Sequence, residues 1–169
     1  MSPNQSVSTA EARIMVRTER SIIDEELTLE SRFGPVKVTE KNRVFFPYGL
    51  AGIPEQHHYC ISDLPDAVKL DQFELLQSLE EKSLSFVVLP LAIDNSLIDR
   101  KDIEEACEAL AIHHEDLLLL LITSVHKGLD SVKLSVNTRA PVMVDVKNKL
   151  AAQYIFMSNR YEVRHYLSE

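Results

Sequence analysis

The stretch SVKLSVNTRAPVMVDVKNKLAAQYIF, residues 131–156, decides the fold. Val132, Leu134 and Val136 share one face of an alternating run and predict a strand; Val142, Val144 and Val146 predict a second. Ala151-Ala152-Gln153-Tyr154-Ile155-Phe156-Met157 predicts a third, reached through a turn over Lys147–Lys149 in which Asn148 is expected to be left-handed. Between the first two stands Asn137-Thr138-Arg139-Ala140-Pro141. Proline lacks a ladder amide and keeps the residue before it extended, so one expectation is a kinked or edge strand from which Asn137 and Arg139 are displayed, the break at Pro141 being a contact surface. The other is a β-turn with a solvated arginine and an asparagine bonded to its own backbone.

Moving toward the N-terminus, DLLLLLITSV (116–125) is apolar on both faces and predicts a central, fully buried strand. Before it, Ile103, Ala106, Cys107 and Leu110 recur at helical spacing and predict a helix between Asp99 and Ile112. Asp99 and Asp102 suit its free N-terminal amides. Asp102, Glu104, Glu105 and Glu108 are expected to be exposed and to speed association with a basic partner. SFVVLPL, FELLQSL, HYCIS, RVFFP and SRFGPVKVT read as further short strands, and FPYGLAGIPEQ (46–56) as a turn-rich loop. Leu50 and Ile53 in that loop either anchor a partner or plug an end of the fold. The expected fold class is mainly β, a small antiparallel β-barrel or sandwich with one or two short helices. Residues 1–30 form an N-terminal extension, part flexible and part surface-packed, and residues 31–169 the barrel domain.

The composition sets limits on function. The chain has 169 residues, 45% hydrophobic and 26% charged, which fits one globular domain. Its net charge of −8 argues against direct nucleic-acid binding. That charge is uneven: residues 132–169 are net basic while the remainder is acidic enough to attract a basic partner. No apolar run is long enough for a membrane span, and the N-terminal stretch does not read as an export signal, so a cytoplasmic protein, monomeric when free, is expected. Cys60 and Cys107 show no metal or redox spacing and read as reduced, partly buried thiols.

No motif carries catalysis. His57 and His58 precede Cys60, but in a strand only His58 shares the cysteine's face, and no third group orients a base. His113, His114, Glu115 and Asp116 are adjacent polar residues at a helix-to-strand junction, a poor arrangement for converging on a metal. The expectation is a non-enzyme without cofactor or metal.

Three motifs in order carry a family likeness: Phe46-Pro47 followed by Gly49-Leu50; Leu76-Gln77-Ser78 followed by Phe86-Val87-Val88; and Asn137-x-Arg139-Ala140-Pro141 followed by Gln153. With the runs around them, over about residues 32–166, the chain resembles the flagellar assembly factor FliW family. It departs at Ala51, where the family has proline, at Ile53, where it has phenylalanine, and at Lys147–Lys149, which lacks the family's glycine. The resemblance implies a non-enzymatic antagonist that binds the RNA-binding regulator CsrA, frees flagellin messenger RNA from repression, and also binds flagellin, so that the two partners compete. On this reading Gly49, Leu50, Ile53, Gln77, Asn137, Arg139 and Pro141 are the partner-binding residues. A small cytoplasmic barrel serving an unrelated protein partner is the alternative.

Overall fold

The computed structural model describes residues 26–66, 68 and 70–168. The part of the expected extension before residue 26 lies outside the described residues. Strands β1 (Leu27–Ser31) and β2 (Gly34–Val38) form an antiparallel hairpin, so the expected boundary at residue 30 falls inside β1. Then come β3 (Arg43–Phe45), β4 (His58–Asp63), β5 (Glu74–Ser78), β6 (Ser85–Leu91), helix α1 (Arg100–Leu110) and β7 (Leu117–Lys127). β8 (Val132–Val136), β9 (Val142–Asp145), β10 (Leu150–Gln153) and β11 (His165–Tyr166) complete the chain.

Seven strands close a ring in the order β3, β4, β5, β6, β7, β9, β10 and back to β3. An odd ring cannot alternate direction throughout, so one neighbouring pair must run parallel. That pair is β10 and β3, joined at Leu150 and Phe45, and every other pairing is antiparallel. The barrel expectation holds over the sandwich, with this one parallel seam.

β8 and β9 are two halves of one path along β7. β9 pairs with Leu117–Leu120 and β8 with Thr123–Lys127. Only Leu121 and Ile122 of β7 face the five residues Asn137–Pro141, so the interruption is a wide bulge in a long strand. Beyond it β8 and β11 leave the barrel. This explains why Val136 is buried, Leu134 half-buried and Val132 exposed although all three alternate correctly.

The core has three compartments. Inside the barrel lie Val44, Phe46, Leu50, Tyr59, Leu76, Val88, Leu120, Val142, Val144 and Ala151. Outside, α1 covers Leu89, Leu119, Leu121 and Met143 with Ile103, Ala106 and Cys107. On another outer face Val36 and Val38 of the β1–β2 hairpin cover Cys60 and Leu75. Period-two alternation therefore sends Leu120 inward and its neighbours Leu119 and Leu121 out beneath the helix, which is why β7 is apolar on both faces. Burial of each such leucine stabilises the fold by about 1.5–3 kcal/mol. The expected full burial of β7 applies only to its centre; Leu117 and Leu118 are half-buried and Ser124 and Val125 exposed.

Three local expectations are corrected. β10 stops at Gln153, because Tyr154 N–H donates to Pro141 O (2.9 Å) and Phe156 N–H to Arg139 O (2.8 Å), so the chain follows the bulge out of the sheet. In the turn before β10 the left-handed residue is Lys149 (φ 59), not Asn148. Asn148 donates its side-chain amide to Asp145 Oδ2 (2.7 Å), and the backbone amides of Lys147 and Asn148 donate to Oδ1, a turn organised by a buried aspartate. Donation by Asn148 and Lys147 holds the Asp145 carboxyl below its ordinary range. Finally, of the four α1 carboxylates expected to be exposed, Glu104, Glu105 and Glu108 are exposed and Asp102 is not. Asp102 is half-buried, accepting from Tyr161 OH and from Arg160 Nη2 (2.7 Å), while Glu104 pairs with Arg100 (2.8 Å) and Glu105 lies 3.9 Å from Lys101.

Candidate functional site

One end of the barrel carries a groove of about 380 Å³ between the Gly49–Pro54 loop and the Asn137–Pro141 bulge. Its apolar lining comes from Leu50, Ile53, Phe86, Ile122, Ile155 and Val163; Asn137, Arg139 and Gln153 supply the polar groups. The two loops, about 90 residues apart in sequence, meet here because β3 and β10 form the parallel seam.

The first wall is a tight turn with little freedom. Gly49 N–H donates to Phe46 O (3.1 Å), and Ile53 N–H to Leu50 O (2.9 Å). Gly49 has φ +63, and a Cβ there would lie 2.6 Å from Ile53 O, so the turn admits only glycine without shifting its backbone. Leu50 points into the barrel core at 3% exposure, whereas Ile53 stays half-buried in the groove. Of the two readings of this loop, plugging describes Leu50.

The second wall is held through its backbone. Thr138 is buried and exchanges hydrogen bonds with Glu162: its hydroxyl donates to Glu162 O (3.1 Å) and accepts from Glu162 N–H (3.0 Å). Asn137 Oδ1 accepts from Ala140 N–H (2.9 Å), the self-bonding expected of a turn. Arg139 N–H donates to Glu162 O (3.2 Å) and its carbonyl accepts from Phe156. Its half-buried side chain lines the groove, and the arginine ion pairs among the described residues belong to Arg100 and Arg160. Arg139 is the one charged residue in the lining among the described residues. Pro141 is buried and sets the end of the bulge; it is not displayed from an edge.

The expected site residues thus divide. Leu50, Ile53, Asn137 and Arg139 come together at the groove. Gly49 shapes its wall. Gln77 is elsewhere and fully buried: its amide donates to Ser78 O (2.9 Å) and Lys82 O (3.1 Å) and accepts from the Ser85 hydroxyl, so it closes the β5–β6 turn and offers nothing to a partner. Sequence reasoning missed Phe86, Ile122, Ile155 and Val163. Ile155 was expected to continue the third strand, which stops at Gln153, and for Val163 an exposed aliphatic residue in an irregular tail was the only signal.

Among the described residues the groove lining holds no cysteine, histidine or carboxylate. Cys60 is fully buried beneath the hairpin, and burial pushes its thiol up to about 11, opposite to what a nucleophile needs. His57 bonds Phe46 O through Nδ1 (2.8 Å). Among the described residues no three His, Cys, Asp or Glu side chains are placed to hold a metal, and no helix is long and apolar enough to cross a membrane.

The described residues form a closed seven-stranded barrel with an apolar groove at its rim and one arginine in the described lining. The chain belongs to the FliW family, whose model matches residues 28–167. It is 27% identical over 133 residues to the flagellar assembly factor FliW of Clostridium botulinum (strain Okra / Type B1), covering 78% of this chain and 90% of that one. With the corresponding protein of Ruminiclostridium cellulolyticum the identity is 29% over 148 residues, covering 85% and 95%. The fold is shared with a crystal structure of the flagellar assembly factor FliW, with a TM-score of 0.59 at 23% identity, over 83% of this chain and 95% of that one.

Proposed function

We propose that this protein is a cytoplasmic, non-enzymatic flagellar assembly factor that binds CsrA, relieves repression of flagellin messenger RNA, and gives CsrA up when it binds flagellin. Membership of the family supports the flagellar role, and the groove supports a protein partner. The observation that carries the reading is the convergence of Leu50, Ile53, Asn137 and Arg139, chosen from separate stretches of sequence, on one apolar concavity with a single cationic group.

The chemistry of the groove fits an apolar segment bearing a carboxylate or free carbonyls, which the planar guanidinium of Arg139 binds as a fork. A CsrA surface basic enough to hold RNA has a different complement, the acidic body of the chain. Exclusion of one partner by the other follows if the two contacts overlap at the rim. The test is size-exclusion chromatography of the protein with purified CsrA, with flagellin, and with both. Two binary complexes and no ternary one are expected. Absence of both binary complexes at tens of micromolar would refute the proposal.

A further inference from the structure

Gln153 is the last residue of β10 and sits at the barrel rim, half-buried, between the two walls of the groove. Its side-chain amide is bonded at both ends. Oε1 accepts from Ala51 N–H (2.8 Å) in the first wall, and Nε2 donates to Ala140 O (3.0 Å) in the second. One side chain therefore spans the groove floor and ties together loops that are 89 positions apart, from Ala51 to Ala140.

We propose that Gln153 is the positioning residue of the groove, a latch that fixes the separation of its walls and so the register between Ile53 on one side and Arg139 on the other. The inference rests on the groove being the partner site. The chemistry restricts the residue type. The task needs an acceptor toward Ala51 and a donor toward Ala140 on a side chain long enough to reach both. Glutamate is an acceptor only, methionine neither, and asparagine one carbon short. Backbone bonds hold each wall internally, Ile53 to Leu50 in the first and Arg139 to Glu162 in the second, but those bonds do not cross the groove. Ala51 N–H reports the first wall directly, since Gln153 is its partner.

The test compares amide hydrogen exchange of Gln153→Glu and Gln153→Met with the unaltered protein, together with affinities for CsrA and flagellin. Gln153→Glu keeps an acceptor for Ala51 and cannot donate to Ala140. Exchange should stay unchanged at Ala51, and affinity for the groove's partner should fall about tenfold. Gln153→Met should quicken exchange at Ala51 about five- to tenfold, with circular dichroism and melting cooperativity preserved. A latch that does not exist would leave Ala51 exchange unchanged in Gln153→Met. A latch that does not set the groove would give the exchange pattern with both affinities within about twofold. Either result overturns the inference. Exchange is measured on the free protein, so an unaltered protein that binds neither partner removes the functional proposal while the exchange pattern still decides the latch.

Discussion

Replacing Arg139 by alanine separates binding from folding at a single position. The backbone of Arg139 is structural: its N–H donates to Glu162 O (3.2 Å) and its carbonyl accepts from Phe156 N–H (2.8 Å), and alanine keeps both. The side chain does different work. It is half-buried along the groove with no ion pair among the described residues, so its removal forfeits only some packing of its aliphatic stem. Folding stability should change by less than about 1 kcal/mol, as at other surface sites. A charge-assisted hydrogen bond to a partner is worth about 1.5–3 kcal/mol, so the affinity of the complex should fall roughly ten- to 150-fold. Arg139→Lys should recover part of this, because an ammonium supplies charge without the planar fork. The assay is calorimetric titration against CsrA and flagellin beside a thermal melt of the same samples. Loss of stability equal to the loss of binding would show that the guanidinium serves the barrel, and unchanged affinity for both partners would remove it from the interface.

Gly49→Ala should destabilise the fold by about 2–4 kcal/mol, from the left-handed strain plus a Cβ forced against the Ile53–Pro54 backbone, while Gly52→Ala at φ +84, with open space around it, should cost only about 1–2 kcal/mol in denaturant titration. The Tyr59 hydroxyl is buried without a hydrogen-bond partner among the described residues, so Tyr59→Phe should leave stability unchanged or raise it by up to about 1 kcal/mol. Burial raises the Tyr59 phenol from 10.0 to about 12 and the Cys60 thiol from 9.0 to about 11, favouring their neutral forms in the fold; stability is fully present below pH 9 and should be lost as pH rises through 11 to 12, the tyrosine part vanishing in Tyr59→Phe. Asp102→Ala should cost about 1–2 kcal/mol, because it removes the acceptor of the buried Tyr161 hydroxyl while exposed Arg160 is hydrated instead, and Glu108→Lys on the open side of α1 should stay within about 0.5 kcal/mol.

The elements most legible in the sequence were those whose period is set by one buried face. α1 was placed to within two residues at either end by Ile103, Ala106 and Cys107, and Asp99 caps it as its position suggested. β7 was legible as a strand because a run of leucines packed between a barrel interior and a helix has to be apolar on both faces. What sequence could not show was ring closure. The parallel contact between Leu150 and Phe45 rests on one bridge between distant residues, and no local pattern announces it. The bulge shows the same limit from the other side. Pro141 correctly signalled an interruption, but whether Arg139 lines a groove depends on Glu162 and Phe156 bonding its backbone, and those partners come from the irregular C-terminal segment. Gln77 misled because a polar residue amid apolar ones can mark either a surface or a buried turn, and here its amide is used up by Ser78, Lys82 and Ser85. The charges of α1 were legible in part: Glu104, Glu105 and Glu108 are exposed as their positions suggested, while Asp102 is taken up by Tyr161 and Arg160.

The most direct test of the central claim is a displacement titration. Labelled flagellin leader RNA is saturated with CsrA at near-physiological salt, the protein is added, and RNA release is followed by fluorescence anisotropy. Release is expected to saturate near one protein per CsrA chain and to reverse when flagellin is added. Retention of the RNA on CsrA, with the protein at tens of times the CsrA concentration, would contradict it.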